Sequence, residues 1–323
     1  MTSPNLQPGT VPRPQVAVSS CLLGNPVRYD GNHTRYNWLV DSLARFVDFI
    51  PLCPEVAIGL GVPRNPVQLT GDPAQPRVQG VTEPELDVTD ALWMQGQKVA
   101  GSLDRVAGYV FKSRSPSCGL FRVKVRTPGG VVRKGRGVYA AAILEACPAL
   151  PAEEEGRLND AVLRENFVSR LYAYQRWLLL CDAGLGAGRL LDFHMRHKYL
   201  VMAHSQAAYQ RLGRLLSQLK GVDIDAVARS YLDEFMPALA RRVSPGRHGN
   251  VLQHIMGYLK RRIGPDDKAE LVSVIDAYRR GDVPLVVPVT LLRHHFRCNP
   301  DEYIGMQWYL WPYPDELGLR NQL

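Results

Sequence analysis

The chain changes character once along its length, and that change constrains its fold more than any other feature. Up to about residue 150, short apolar runs alternate with stretches of helical spacing. Beyond the break at Gly184-Leu185-Gly186-Ala187-Gly188, only helical spacing remains. Strands joined by crossover helices imply a mostly parallel sheet. The expected fold is therefore a Rossmann-like α/β domain over 15–150 and an all-α domain over 185–323. A helical connector over 151–184 joins them, and a flexible Pro-rich tail, 1–14, precedes them. The 323 residues suffice for two domains of ordinary size.

Strands are expected at 15–20, 47–52 and 106–111, with helices over 36–46 and 89–103 and another opened by Glu153-Glu154-Glu155. Cys21, Cys53 and Cys118 each lie shortly beyond the carboxyl end of one of these strands. In an open α/β sheet that edge is where ligands bind, because loops from neighbouring strands converge there. The three cysteines are 32 and 65 residues apart in sequence, yet this topology gathers them. Each neighbours Pro or Gly, which places it in a tight turn rather than inside an element.

Three small buried core residues are the plain alternative, but core packing gives no reason for placement at three strand ends. A structural zinc site wants four ligands, often with CxxC spacing, and none is present. Three thiolates suit an iron–sulfur cubane with one iron left open to substrate. Cys147 and Cys181, among Ala, Leu and Trp, read as core residues, and Cys298 as structural.

The segment 122–136, RVKVRTPGGVVRKGR, reads as a hairpin turning at Pro128-Gly129-Gly130. It holds six basic residues and no acid: Arg122, Lys124, Arg126, Arg133, Lys134 and Arg136. Such a strand can be a solvated edge, where cations discourage aggregation. Six unrelieved positive charges favour phosphate binding. Residues 189–262 add 13 Lys and Arg against five acids, and the whole chain carries +8 with a pI near 9.2. An anionic partner is expected. His194, His197 and His204 share a helix with Arg196 and Lys198 but have no acidic partner at helical spacing, so polar or phosphate contacts are expected rather than a metal.

Hydrophobic residues at 46% and charged residues at 22% exclude wholesale disorder. No apolar run approaches the ~18 residues of a membrane span. The first residues carry no secretory pattern. With six scattered cysteines, the expectation is a cytoplasmic protein with reduced thiols, no membrane association and no obligate protein partner.

At the cysteine motifs the chain resembles the thiouracil desulfidase family. The elements are Ser19–Gly24 (SSCLLG), Tyr29–Gly31 (YDG), Cys53–Glu55 (CPE) and Ser115–Gly119 (SPSCG). Residues 189–313 resemble a helical domain often fused to it, through Leu191-Asp192-Phe193-His194, Lys198-Tyr199-Leu200, Ala203-His204-Ser205-Gln206 and the run Arg247 to Tyr258. The pair of domains is similar to the tRNA 4-thiouridine desulfidases. Position 27 is Val27, where single-domain relatives can carry a cysteine.

The resemblance implies a 4Fe–4S cluster held by Cys21, Cys53 and Cys118 with one open iron that takes the substrate sulfur. It implies catalytic roles for Glu55 and Ser115. Tyr29, Asp30, Arg64, Lys112 and Arg114 are further pocket candidates. Helix-start and turn-capping roles are the plain alternatives for Glu55 and Ser115. The function expected is non-redox removal of sulfur from 4-thiouridine in tRNA, with the six hairpin cations on the tRNA. The alternatives are desulfuration of free thiouracil or thionucleosides, or a non-catalytic iron–sulfur RNA-binding regulator.

Overall fold

The computed structural model describes residues 12–323, which divide into two units, 12–159 and 160–323. Most of the expected tail, 1–14, lies outside the described residues. Arg13 is not loose: its guanidinium donates to the carbonyls of Ala44 at 2.7 Å and Val47 at 2.6 Å.

The first unit contains strands β1 (Gln15–Ser19), β2 (Asp48–Leu52), β3 (Val67–Thr70), β4 (Arg77–Gly80), β5 (Val106–Phe111), β6 (Val123–Thr127), β7 (Gly130–Gly135) and β8 (Ala152–Glu154). Its helices are α1 (Pro54–Ala57), α2 (Thr89–Ala100) and α3 (Val138–Ala146). One sheet has the order β2-β1-β5-β8 and every pairing in it is parallel. All six residues of β5 are buried, as a strand covered on both faces requires, which is why it reads as a continuous apolar run. From β1 the chain goes first to β2 on one side and later to β5 on the other. That reversal opens a crevice at the carboxyl ends of these strands.

Three local expectations are corrected. Residues 36–46 form no regular α-helix but irregular turns over Trp38–Ser42 and Leu43–Arg45, which still bury Leu39 and Leu43. No side chain caps this run, and Val40 and Ser42 are poor helix formers. The acidic run 153–155 opens no helix: Glu153 and Glu154 end β8, paired to Val110 and Phe111. The connector expected over 151–184 is therefore split, because β8 completes the parallel sheet and α4 (Ala161–Asp182) belongs to the helical unit.

A second sheet, unexpected from the sequence, has the order β4-β3-β6-β7. Only its β3–β6 pairing is parallel, and β6–β7 is the expected basic hairpin. Along β6, Val123 and Val125 are buried while Lys124 and Arg126 are exposed.

From Asp160 on, the described chain is helical. α4 is followed by α5 (Ala187–His204), α6 (Gln206–Leu215), α7 (Ile224–Leu239), α8 (Pro245–Met256), α9 (Pro265–Arg280), α10 (Val286–Cys298) and α11 (Glu302–Gly305). The Asp160 carboxylate caps α4 by accepting the Leu163 amide at 3.0 Å. Trp177 stacks on Tyr231 at 5.7 Å between ring centroids, with Phe193 edge-on to both and Phe235 stacked on Tyr231. His197 and His204 are buried and bond the carbonyls of Phe193 and Arg241. His194 meets the Tyr231 hydroxyl at 3.1 Å. The polar contacts expected of these histidines are thus made within the unit. Among the described residues no helix is long and apolar enough to cross a membrane.

Candidate functional site

Each cysteine motif is a strand end followed by a turn that its own residues build. After β1, Ser20–Leu23 make one tight turn carrying Cys21, closed by Gly24 in the left-handed region at φ 96°. After β2, Cys53 stands extended immediately before α1, whose first residue is Pro54. After β5, residues 112–118 loop back to place Cys118.

In that last loop the Ser115 hydroxyl oxygen accepts the amides of Ser117 at 3.2 Å and Cys118 at 3.1 Å. Gly137 closes on it so tightly that a Cβ there would lie 2.4 Å from the Ser117 carbonyl oxygen.

All three thiols line one cavity of about 440 Å³. Cys21 and Cys118 are buried and Cys53 half-buried. Burial raises the Cys21 thiol above its ordinary value, opposed by the Thr34 hydroxyl and the Lys112 ammonium beside it. Burial also raises Cys53, and it raises Cys118 well above the usual thiol range.

The other cysteines lie elsewhere. Cys147 is half-buried at the end of α3; Cys181 is exposed, which corrects its core reading, and Cys298 is exposed at the end of α10. Cys181 falls at the end of α4, where the apolar neighbours that suggested a core face no longer cover it.

Glu55 also lines the cavity, and both its oxygens are engaged. Arg64 donates to Oε2 from Nε at 2.9 Å and Nη2 at 2.6 Å. The Ser117 hydroxyl donates to Oε1 at 2.7 Å. The ion pair is shielded, with the Arg64 and Glu55 side chains 6% and 14% exposed. Arg64 is itself held by the carbonyls of Gly61 at 2.8 Å and Val27 at 3.0 Å. This carboxylate is set in one orientation inside a thiol-lined cavity, an arrangement suited to accepting a proton at a fixed place.

Tyr29, Lys112, Arg114 and Ser115 line the same cavity as Arg64, as expected. Asp30 does not. Its exposed carboxylate pairs with Arg28 at 3.4 Å and accepts the Asn32 amide at 3.1 Å, so it builds the turn before Gly31. Arg114 holds a left-handed backbone at φ 61°, a strained conformation for a side-chain-bearing residue at the cavity wall.

Sequence reasoning missed three contributors. Ser117, the second serine of the SPSCG element, is the one that touches Glu55. Glu155 accepts the Ser113 amide at 2.6 Å and hydroxyl at 2.7 Å and pairs with Lys112. Glu154 accepts the amides of Leu120 at 2.7 Å and Phe121 at 3.1 Å. The acidic run at the end of β8 thus clamps both ends of the Cys118 loop.

The hairpin cations lie away from the thiols. Arg122, Lys134 and Arg136 line a separate groove of about 1300 Å³. Lys124 pairs across the hairpin with Arg133, and Lys124 and Arg126 are exposed.

Among the described residues, no three His, Cys, Asp or Glu side chains close on one point as a single ion requires. Three thiols spread around a cavity of about 440 Å³ fit instead a multi-iron cluster, whose metals occupy separate corners. No further cysteine and no histidine lines the cavity, so such a cluster would keep one corner without a cysteine or histidine ligand.

The fold and this cavity define an α/β domain that presents several thiols and one carboxylate at the switch point of a parallel sheet. Comparison with known proteins gives the class a family. Residues 16–155 match the family model described as 2-thiouracil desulfurase, and residues 198–314 match a domain of unknown function, DUF1722. The chain belongs to the 2-thiouracil desulfurase family, with a DUF1722 domain at its C-terminal end.

Among relatives, it is 32% identical over 166 residues to the uncharacterized protein YbgA of Escherichia coli (strain K12), covering 51% of this chain and 95% of that one. It is 31% identical over 155 residues to the uncharacterized protein YbbK of Bacillus subtilis (strain 168), covering 45% and 98%. A solved structure described as a [4Fe-4S]-dependent thiouracil desulfidase, TudS, is 31% identical over 46% of this chain and 94% of its own, with a TM-score of 0.37.

Proposed function

We propose that this chain removes sulfur from 4-thiouridine in tRNA, leaving uridine, with Cys21, Cys53 and Cys118 as the protein ligands of a 4Fe–4S cluster whose remaining iron is open. The observation that carries the reading is the single cavity in which three thiols meet the doubly anchored Glu55. Bound there, the cluster supplies a soft Lewis acid for a thiocarbonyl sulfur.

The chain's own residues do the rest. Glu55 takes a proton from water as the water oxygen attacks the ring carbon, and Arg64 and Ser117 keep its two oxygens aimed. Ser115 spends its oxygen on two amides, which leaves its hydroxyl hydrogen to donate to the base or to the developing anion. Tyr29 and Arg114 form the wall against which the base rests. In balance, the carbon–sulfur bond breaks, a carbon–oxygen bond from water replaces it, and sulfur leaves as hydrosulfide with one proton released. No electron is transferred.

The cationic hairpin and the basic excess over 189–262 support tRNA as the substrate. Incubation of thiolated tRNA with anaerobically purified protein, followed by nucleoside analysis and sulfide assay, tests this. Loss of 4-thiouridine with a matching gain of uridine is expected. Turnover of free thiouracil or 4-thiouridine with tRNA untouched would make the substrate a small molecule. Bound tRNA with no sulfide released would make the protein a regulator.

A further inference from the structure

The groove of about 1300 Å³ is lined by segments 73–77 and 120–122, the end of β7, parts of α2 and α3, Glu154 and Arg157. Four features of this groove and the hairpin beside it are costly or only partly used within the fold. Arg122 holds a left-handed backbone at φ 53°, a strained conformation for a bulky residue. Neither Arg122 nor Lys134 has a carboxylate partner among the described residues, while the nearby acids Asp87, Glu153 and Glu154 are engaged by Arg77, Arg157 and two backbone amides. Phe121 is 40% exposed, with the Arg157 guanidinium 4.5 Å from its ring centre, and Trp93 forms another wall. On the adjoining hairpin Lys124 stands directly opposite Arg133, a like-charge pair that destabilises a bare sheet. An anion lying along the hairpin would relieve it.

Cations alone suit any phosphate. Cations interleaved with accessible aromatic rings suit a polyanion that also offers flat faces, which a duplex hides inside its stack. We infer that this groove is a binding site for a single-stranded polynucleotide, with Arg122, Lys134 and Arg136 on phosphates and Phe121 and Trp93 stacking on bases. Asp90 and Glu145, also in the lining, restrict how close the backbone approaches and leave the aromatic wall to hold the bases. Segment 115–122 borders both this groove and the thiol cavity, Ser115 and Cys118 facing one and Phe121 and Arg122 the other. The assignment of the strand as tRNA rests on the proposed function; the groove's chemistry does not.

The test uses the full-length, anaerobically purified protein and an unmodified fluorescent RNA of about eight nucleotides, a typical single-strand site size. Arms with DNA of the same sequence and with duplex RNA accompany it, read by anisotropy over a salt series. The single strands are expected to bind better than the duplex, and the DNA arm reports whether ribose is read. Arg122→Ala with Lys134→Ala should flatten the log–log salt dependence by about 1.4, at ~0.7 per lost phosphate contact on a single strand. Phe121→Leu, which keeps the bulk, should weaken binding roughly fivefold or more while leaving the salt slope intact. Cluster absorbance of the variants reports that the domain is folded. Failure of the wild type to bind either strand, equal binding of duplex, or unchanged binding by both variants would overturn the inference. Because the probe contains no sulfur, binding without desulfuration of thiolated tRNA removes the proposed function alone. Desulfuration with unchanged groove variants removes the groove alone.

Discussion

Replacing Gly137 with alanine tests whether the Cys118 loop is held as tightly as its geometry implies. A Cβ at this position would lie 2.4 Å from the Ser117 oxygen and 2.7 Å from the Cys118 nitrogen. Opening the shorter gap to 3.0 Å, below which real Cβ atoms are essentially never found, needs a shift of about 0.6 Å. Neither side yields easily. The first turn of α3 is tied to the loop by the Gly137 amide on Gly119 at 2.7 Å, Val138 on Pro116 at 3.1 Å and Ala140 on Ser117 at 3.1 Å. Overpacking of this kind costs about 1–3 kcal/mol, against ~5–15 kcal/mol of stability in a typical domain, so the variant should fold. Its Cys118 sulfur, however, should be displaced from the cavity. The assay is iron and sulfide per chain after anaerobic reconstitution, with thermal unfolding alongside. Gly137→Ala should lose most of its iron and melt lower than the wild type. Gly188→Ala is the control: nothing beyond its own stretch of helix lies within 4 Å of its Cβ, and it sits in α5. It should keep its iron and gain up to about 1 kcal/mol. A Gly137→Ala protein with full iron would refute the reasoning.

Cys21→Ala, Cys53→Ala and Cys118→Ala should each lose the cluster, whereas Cys147→Ala, Cys181→Ala and Cys298→Ala should retain it; iron analysis decides. Glu55→Gln should keep the cluster's absorbance and lose about a hundredfold or more in turnover. Ser117→Ala, which frees one carboxylate oxygen, should lose roughly tenfold, the equivalent of one hydrogen bond. Turnover near wild type in either variant would remove that residue from the proton path. Burial pushes the His204 imidazole down to about 4. The unfolded chain therefore binds more protons between that value and the ordinary ~6.5, so the contribution of this histidine to stability is complete above ~6.5 and is lost as pH falls towards 4, by up to ~3 kcal/mol. Melting the protein at about pH 7 and about pH 5 should show the helical unit weakened at the lower value, and an unchanged transition would count against a buried neutral His204.

Much of the site was legible because its signals are local. A strand end, a turn-forming Pro or Gly and a cysteine fall within a few residues at each motif, and each was placed on the right edge. Ser115 was correctly placed at the cavity, although its oxygen turns out to cap the turn. Asp30 was misplaced because an acid before Gly31 suits a turn as well as a pocket, and composition alone does not separate them. Ser117 carries no local signal that separates it from Ser115, because its partner Glu55 lies 62 residues away. Glu154 and Glu155 were misread because three acids in a row resemble a helix start, while their actual partners, the amides of 113, 120 and 121, are more than thirty residues away.

The sequence by itself determined the two classes of structure, the alternation on β6 that exposes Lys124 and Arg126, and the three cysteines as a set. Each of these is written in side-chain periodicity or in neighbours along the chain. Only the tertiary structure decided that β1 lies between β2 and β5, that β8 closes the sheet, and that a second sheet exists at all. Four-residue strands such as β3 and β4 carry too few alternations to announce themselves. Strand order, likewise, is set by pairing between segments far apart in sequence. The same long-range closure joins Glu55 to Ser117 across 62 residues and presses Gly137 against the Cys118 loop. Those contacts arise from packing distances that no local pattern encodes.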